Sequence, residues 1–305
     1  MTWLFYALLA PFCWTIVAYL DKILVTKFNK ELGLNSLVVI SGLSATLGLP
    51  FLLFFADPFD VEFKNAILLI LFGMISIFQL IPYFKSLSYG ETSILIVMTQ
   101  SLPIYSFFLA YIFLGETLSP RQIFGGIIIL IGTLSFAIDF RERSFRAPIK
   151  GVLLMLFATF LAAAHTTAFK YVALEEDLWK TTFWEYIGYL IFALGVLFIS
   201  RETREKVFSF SSSSDRNLIG INIFNEVVNL VAWLTFHAAA LAAPLSIAWL
   251  INGTHPVFMF IAGILLTTFL PRLISERIDK GTLLHKSFFI VVILVGFVIL
   301  NPGSI

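Results

Sequence analysis

The sequence has a single cysteine, Cys13. No intramolecular disulfide, CxxC redox pair or cysteine-based zinc site can therefore form within the chain. Charge is also scarce: Asp, Glu, Lys and Arg make up 13% of the residues, with 20 basic against 19 acidic groups. That balance offers no basic field to nucleic acid and no acidic tail to a cationic partner. Motifs of enzyme chemistry are missing as well. Gly125-Gly126 lies in an apolar run without the Gly-Lys-Ser/Thr ending of a phosphate-binding loop, and no HExxH, GxSxG or dinucleotide fingerprint occurs. The four histidines are dispersed without metal-ligand spacing. Neither an enzyme nor a cofactor or metal requirement is expected. The chain enters apolar sequence directly after Met1-Thr2-Trp3, without the basic segment and cleavage site of a secretory signal. Its first apolar run is expected to remain as a helix.

Apolar residues, by contrast, are in excess. They make up 59% of the chain and include 34 phenylalanines, well above a soluble domain. The composition is that of an integral membrane protein. Runs able to cross a bilayer at ~1.5 Å per residue lie at 3–20, 36–56, 66–84, 93–113 and 121–138, then at 150–171, 182–200, 217–237, 245–268 and 286–300. The predicted fold class is all-α integral membrane, with ten transmembrane helices.

These spans fall into two series of five, which divide the chain into 1–140 and 141–305 at the charged connection Asp139 to Lys150. The series can be overlaid. Tyr19-Leu-Asp-Lys22 falls opposite Thr167-Ala-Phe-Lys170, and Ser101-Leu-Pro103 opposite Thr254-His-Pro256 after a slip of one residue. An odd number of spans per half inserts the second half upside down, giving the inverted five-helix repeats common among secondary transporters. Ser209 to Asn217 reads as a flexible Ser-rich loop, and the connection 268–286 as a short amphipathic surface segment.

The fourth span interrupts its own hydrophobicity with Thr99, Gln100, Ser101 and Pro103. It is followed by Leu114-Gly-Glu-Thr-Leu-Ser119 and a Gly-containing apolar helix. This pattern resembles the end of a repeat in the EamA-type branch of the drug/metabolite transporter superfamily. The likeness extends over the whole chain, although the distinctive turn occurs only in its first half. What the resemblance implies is export or exchange of metabolites, without naming the cargo. It also implies cytoplasmic termini. The charges point the other way: sixteen of the 20 basic residues lie on odd-numbered connections, which the positive-inside rule puts in the cytoplasm with both termini outside.

The eighth span is the richest in polar groups. Asn222, Asn225, Glu226, Asn229, Trp233 and His237 recur at helical spacing along one stripe. A carboxylate facing lipid there would cost ~2.5 kcal/mol or more, so the stripe is expected to line a cavity or to pair inside the bundle. Trp249, Asn252 and His255 precede Pro256 in the ninth span, as Gln100 and Tyr105 flank Pro103 in the fourth. His165 in the sixth span and Tyr19 in the first complete the expected substrate-binding set. Prolines at matched positions free backbone carbonyls and are plausible hinges.

One acid, several amides, histidines and tryptophans suit a small zwitterion or cation such as an amino acid or amine. The expected function is a secondary transporter working by alternating access, with Glu226 or a histidine available to exchange protons. Its partners are then a small-molecule metabolite and the lipid bilayer, in a monomer or homodimer of the plasma (cell inner) membrane. Two alternatives stay open: an anionic metabolite held by Lys22 and Lys170, and a non-transporting scaffold in which the asparagines only join helices. Both lysines are also explained by snorkelling to the interface. Glu116 is expected to cap and tether the hairpin of the fourth and fifth spans. Lys180 with Glu175, Glu176 and Asp177 is expected to be a solvated loop.

Overall fold

A computed structural model describes residues 2–28, 33–55, 57–87, 89, 98–137, 149–212, 216–269 and 280–300. Among these the protein is helical throughout, with no strand. Eight helical spans are long and apolar enough to cross a membrane, and two shorter apolar helices, Met98–Leu114 and Pro120–Phe136, accompany them.

The first half contains α1 (Thr2–Phe28), α2 (Leu34–Ala45), α3 (Leu49–Leu52), α4 (Phe63–Phe78), α5 (Leu80–Leu87), α6 (Leu102–Leu114) and α7 (Pro120–Ala137). The second contains α8 (Ile149–Ala173), α9 (Leu178–Ile199), α10 (Arg201–Ser212), α11 (Arg216–Ala242), α12 (Leu245–Asn252), α13 (His255–Phe269) and α14 (Lys280–Leu300). A tight turn at Thr46–Gly48 joins α2 to α3, and another at Met98–Ser101 leads into α6. Helices therefore break just ahead of Pro103 and of Pro256, where α6 and α13 begin. The ring of proline cannot sit inside a continuous helix without losing a hydrogen bond.

Phenylalanines and aliphatic residues cover the outside: Phe54, Phe63, Phe198 and Ile199 are each at least 80% exposed. In water such a surface would drive aggregation, whereas hydrocarbon solvates it. Inside, α1 packs along α11, α4 and α5 against α8, α2 against α9 and α11, α6 against α8 and α12, and α7 against α14. One core joins Leu52, Ile77, Phe183, Tyr186 and Leu230; another joins Ala10, Ala110, Phe236, Ala248 and Trp249.

The closest backbone approach joins α4 and α9. A Cβ on Gly73 would stand 2.2 Å from the Glu185 carbonyl oxygen, and one on Gly188 2.4 Å from that of Ile70. Helices in lipid associate through such small residues because no hydrophobic drive separates them from the solvent. Gly188→Val should lower the apparent melting temperature in detergent, with an overpacking cost of ~1–3 kcal/mol or more. Gly195→Ala, on the same helix with nothing within 4 Å of the added carbon, should leave it unchanged or slightly raised. Equal effects of the two substitutions would contradict this packing.

Ser209 to Ser212 do not begin a loop but end α10, a short helix with exposed i,i+4 pairs Arg201–Glu205 (2.7 Å) and Glu202–Lys206 (2.6 Å). The hydrogen bond from Lys206 holds the Glu202 carboxyl below its ordinary value. The connection after α13 and most of the charged linker between the halves lie outside the described residues. At its far end the structure shows α14 starting at Lys280, so that His285 and Lys286 are helical.

Candidate functional site

α11 is 27 residues long, and its polar stripe from Asn222 to His237 extends ~22 Å along the axis at 1.5 Å per residue. The stripe, expected to line a cavity or to pair inside the bundle, makes its contacts in two clusters that Trp14 bridges. One reason is length, since different neighbours face the two ends of so long a stripe.

The first cluster lies where α11 meets α1 and α2. Asn225 donates through Nδ2 to Asp21 Oδ1 at 2.8 Å, and Asn229 through Nδ2 to Glu226 Oε2 at 3.3 Å. Trp14 donates its indole N–H to Asn229 Oδ1 at 3.2 Å, and Ser44 its hydroxyl to Asn222 Oδ1 at 2.5 Å. Asn222, Asn225 and Glu226 are buried. The buried Glu226 and the half-buried Asp21 thus share a site whose donors are amides, an indole and a hydroxyl, with no lysine or arginine among these contacts. Ser44 thereby ties α2 to α11. Asp21 is the residue that sequence reasoning missed here. It appeared only in the overlay of the halves, because an acid near a helix end reads as interfacial until its partner on another helix is known.

The second cluster lies where α11 meets α8, α9 and α12. Trp233, His237, Trp249 and His165 join Trp14, Phe236 and Phe169 in a continuous set of rings. Trp14 and Trp249 are stacked at 6.2 Å, and His237 stacks on Phe169 at 3.5 Å. Trp249 also donates to Thr166 Oγ1 at 3.3 Å. His165 Nε2 lies 2.9 Å from Oε1 of Glu185, which also accepts from the Tyr189 hydroxyl at 2.6 Å. Glu185 on α9 was not singled out, although a carboxylate inside an apolar span, with Thr181, Thr182 and Tyr189 at helical spacing from it, is a signal the sequence carries. Two of the histidines that looked dispersed are neighbours in space, their ring centres 6.1 Å apart.

The remaining expected residues divide. His255 stands against the backbone of Trp14, and Asn252 Oδ1 and His255 Nε2 are buried atoms without a hydrogen bond. Both residues flank the break between α12 and α13. Tyr19 donates its hydroxyl to the Met259 carbonyl at 2.9 Å. Tyr105 packs edge-on against Phe160, away from both clusters. Gln100 sits half-buried in the turn before α6, whose Ser101 is hydrogen-bonded to Thr159 at 2.8 Å.

Lys170 corrects an expectation. It does not snorkel to the interface: buried at the end of α8, it donates to the Ala243 carbonyl at 2.7 Å and pairs with Glu116 at 2.5 Å. Its charge is already neutralised, which removes support from the anion-binding alternative. The side chain of Lys22 lies outside the described part of the chain. Glu116 likewise does more than cap its own hairpin. Gly115 takes a left-handed φ of 67° that closes α6, with the N–H of Glu116 bonded back to Ala110 O at 3.2 Å. The turn then delivers the Glu116 carboxylate to Lys170 and to the N–H of Leu245 at 2.7 Å, the start of α12, where a negative charge is favoured. The Leu-Gly-Glu turn thereby fastens the first half to two helices of the second.

The acidic and basic loop after α8 is also structural. Asp177 caps α9 by accepting from Trp179 N and Lys180 N at 2.7 and 2.9 Å. Glu176 accepts from Asn65, and Lys180 pairs with Asp60.

A helical bundle with eight apolar spans and polar clusters at its helix crossings defines a multi-pass integral membrane protein. Residues 1–138, a little under half of the chain, match the model of the EamA-like transporter family, which lies within the drug/metabolite transporter superfamily. What this match implies is a membrane transporter of that type. Its fold recurs among solved structures, of which 27 chains match. One crystal structure, 14% identical in sequence, covers 97% of this chain and 96% of its own with a TM-score of 0.61. No curated protein matches significantly in sequence.

Proposed function

We propose that the protein carries a small polar metabolite, zwitterionic or cationic in the manner of an amino acid or amine, out of the cell or in exchange across the plasma membrane. The observation that carries this reading is the α1–α11 cluster, in which Asp21 and Glu226 accept from the amides of Asn225 and Asn229, and the Trp14 indole donates to Asn229 beside them. A substrate ammonium group complements the buried Glu226 and the half-buried Asp21, and Trp14 adds a ring face to it.

Ten spans in two inverted repeats, 1–140 and 141–305, are the proposed layout. The packing pairs support it. Exchanging each span for its counterpart five later turns the α1–α11 contact into that of α8 with α4 and α5, and the α2–α11 contact into that of α9 with α4. The α2–α9, α6–α12 and α7–α14 contacts map onto themselves. Alternating access then consists of one repeat rocking against the other, with bending at the breaks before Pro103 and Pro256. Odd-numbered connections face the cytoplasm in this proposal, by their excess of basic residues.

The test is a thermal-shift screen of the purified protein against amino acids, amines and organic anions, repeated with Glu226→Gln. A ligand that binds only the folded state raises its apparent stability, by ~2.7 kcal/mol at a hundred times its dissociation constant. The expected hits are cationic or zwitterionic and lose their shift in the variant. Anionic hits that persist in Glu226→Gln would overturn the reading.

A further inference from the structure

The second cluster contains more ligating atoms than the protein itself uses. His165 is on α8, Glu185 on α9 and His237 on α11, and one ligating atom from each lies within 4.8 Å of the others. All three residues are 0–1% exposed. Within this cluster His165 Nδ1, Glu185 Oε2 and both ring nitrogens of His237 make no hydrogen bond. A neutral imidazole always carries one N–H and one lone pair, so a dry His237 with neither satisfied is a costly arrangement. The hydrophobic packing that surrounds it does not explain why an imidazole stands there in place of a phenylalanine.

We infer that His165, Glu185 and His237 form a binding site for a first-row divalent transition ion such as Zn2+ or Co2+. The donor set is two imidazole nitrogens and a carboxylate oxygen, which suits these borderline ions, whereas Mg2+ and Ca2+ take oxygen ligands. Phe169, Trp233 and Phe236 pack around His237 at centroid distances of 3.5 to 5.9 Å, so the site admits a bare ion and not an organic molecule. Bonds of ~2.0–2.1 Å to a tetrahedral ion set its ligands ~3.4 Å apart. Inward rotation of the side chains by about an ångström reaches that spacing from the 4.8 Å limit seen here. The outer contacts are in place: Tyr189 donates to Glu185 Oε1 and is itself hydrogen-bonded to Ser76 on α4 at 3.1 Å, the kind of support that orients a ligating carboxylate. One ion held there would join α8, α9 and α11. The site lies apart from the Asp21–Glu226 cluster and stands or falls independently of the proposed cargo.

The full-length protein, purified in detergent and stripped with chelator, should bind one equivalent of Co2+. The readouts are the visible absorption of a low-coordinate Co2+ centre and quenching of tryptophan emission, since Trp233 is 5.2 Å from His237 and 5.6 Å from His165. Zn2+ should displace the Co2+ spectrum. His237→Gln and Glu185→Gln should each weaken binding by at least ~10- to 100-fold, the loss that even outer-shell changes cause. His285→Gln, on α14 and bonded to the Ser135 carbonyl, should bind as the unaltered protein does. Absence of stoichiometric Co2+ binding by the unaltered protein would overturn the inference whether or not the variants fold. So would binding that survives both cluster variants or that is lost with His285→Gln.

Discussion

Lys170→Met is expected to lower the stability of the protein by ~3–5 kcal/mol, because removing one member of a buried ion pair leaves the other charge without compensation. The pair in question is the one between Lys170 and Glu116, whose side chains are 7% and 15% exposed. Without the lysine, the Glu116 carboxylate keeps only the Leu245 N–H, and the Ala243 carbonyl loses its donor. Glu116→Gln should act in the same direction but less, since its amide oxygen still accepts from Leu245. The double variant Lys170→Met/Glu116→Gln should be more stable than the sum of the single losses, which is the signature of a coupled pair. Apparent melting temperatures in one detergent measure all three. Additive losses would mean that the two groups act separately, and an unchanged Lys170→Met would mean that the turn does not hold the halves together.

The second large effect concerns flux. In proteoliposomes loaded with a metabolite found in the thermal-shift screen, Asp21→Asn and Glu226→Gln should each reduce counterflow by ~10- to 100-fold, the equivalent of losing one charge-assisted hydrogen bond to the cargo. Both changes preserve shape, and Asn225 and Asn229 retain acceptors in the substituted amides, so melting temperatures should move far less than flux. Ser44→Ala removes the hydroxyl that Asn222 accepts from but no charge, and should cost much less activity. Full flux through Glu226→Gln would remove the acid from the transport site and return α11 to a structural role.

Much of this was legible in the sequence. Apolar runs of bilayer length announce membrane helices because unsatisfied backbone groups cannot face hydrocarbon, and among the described residues eight such spans and two shorter apolar helices are found. Asn222, Asn225, Glu226 and Asn229 were also recognisable, since polar side chains at helical spacing in an apolar run must find partners inside. The Leu-Gly-Glu turn was legible as a short polar break between two apolar runs and by its family resemblance, and the left-handed φ of Gly115 gives the physical reason for a glycine there. Less legible were helix ends: α10 continues to Ser212 because short exposed ion pairs and packing against α2 and α9 sustain it, while serine composition alone reads as loop.

What the sequence determined by itself is therefore everything set by local solvation and local turn chemistry: a helical membrane protein, where its spans lie, and which side chains cannot face lipid. Only the tertiary structure decided which of those side chains meet. It gave Asp21 to Asn225 across 204 positions, Lys170 to Glu116, and His165 to both Glu185 and His237. It also divided one polar stripe between two sites. The physical reason is that a buried polar group specifies the need for a partner but not its address. The address comes from which helix faces approach, and that depends on close crossings such as Gly73 on Gly188, whose spacing carries no periodic signal along the chain.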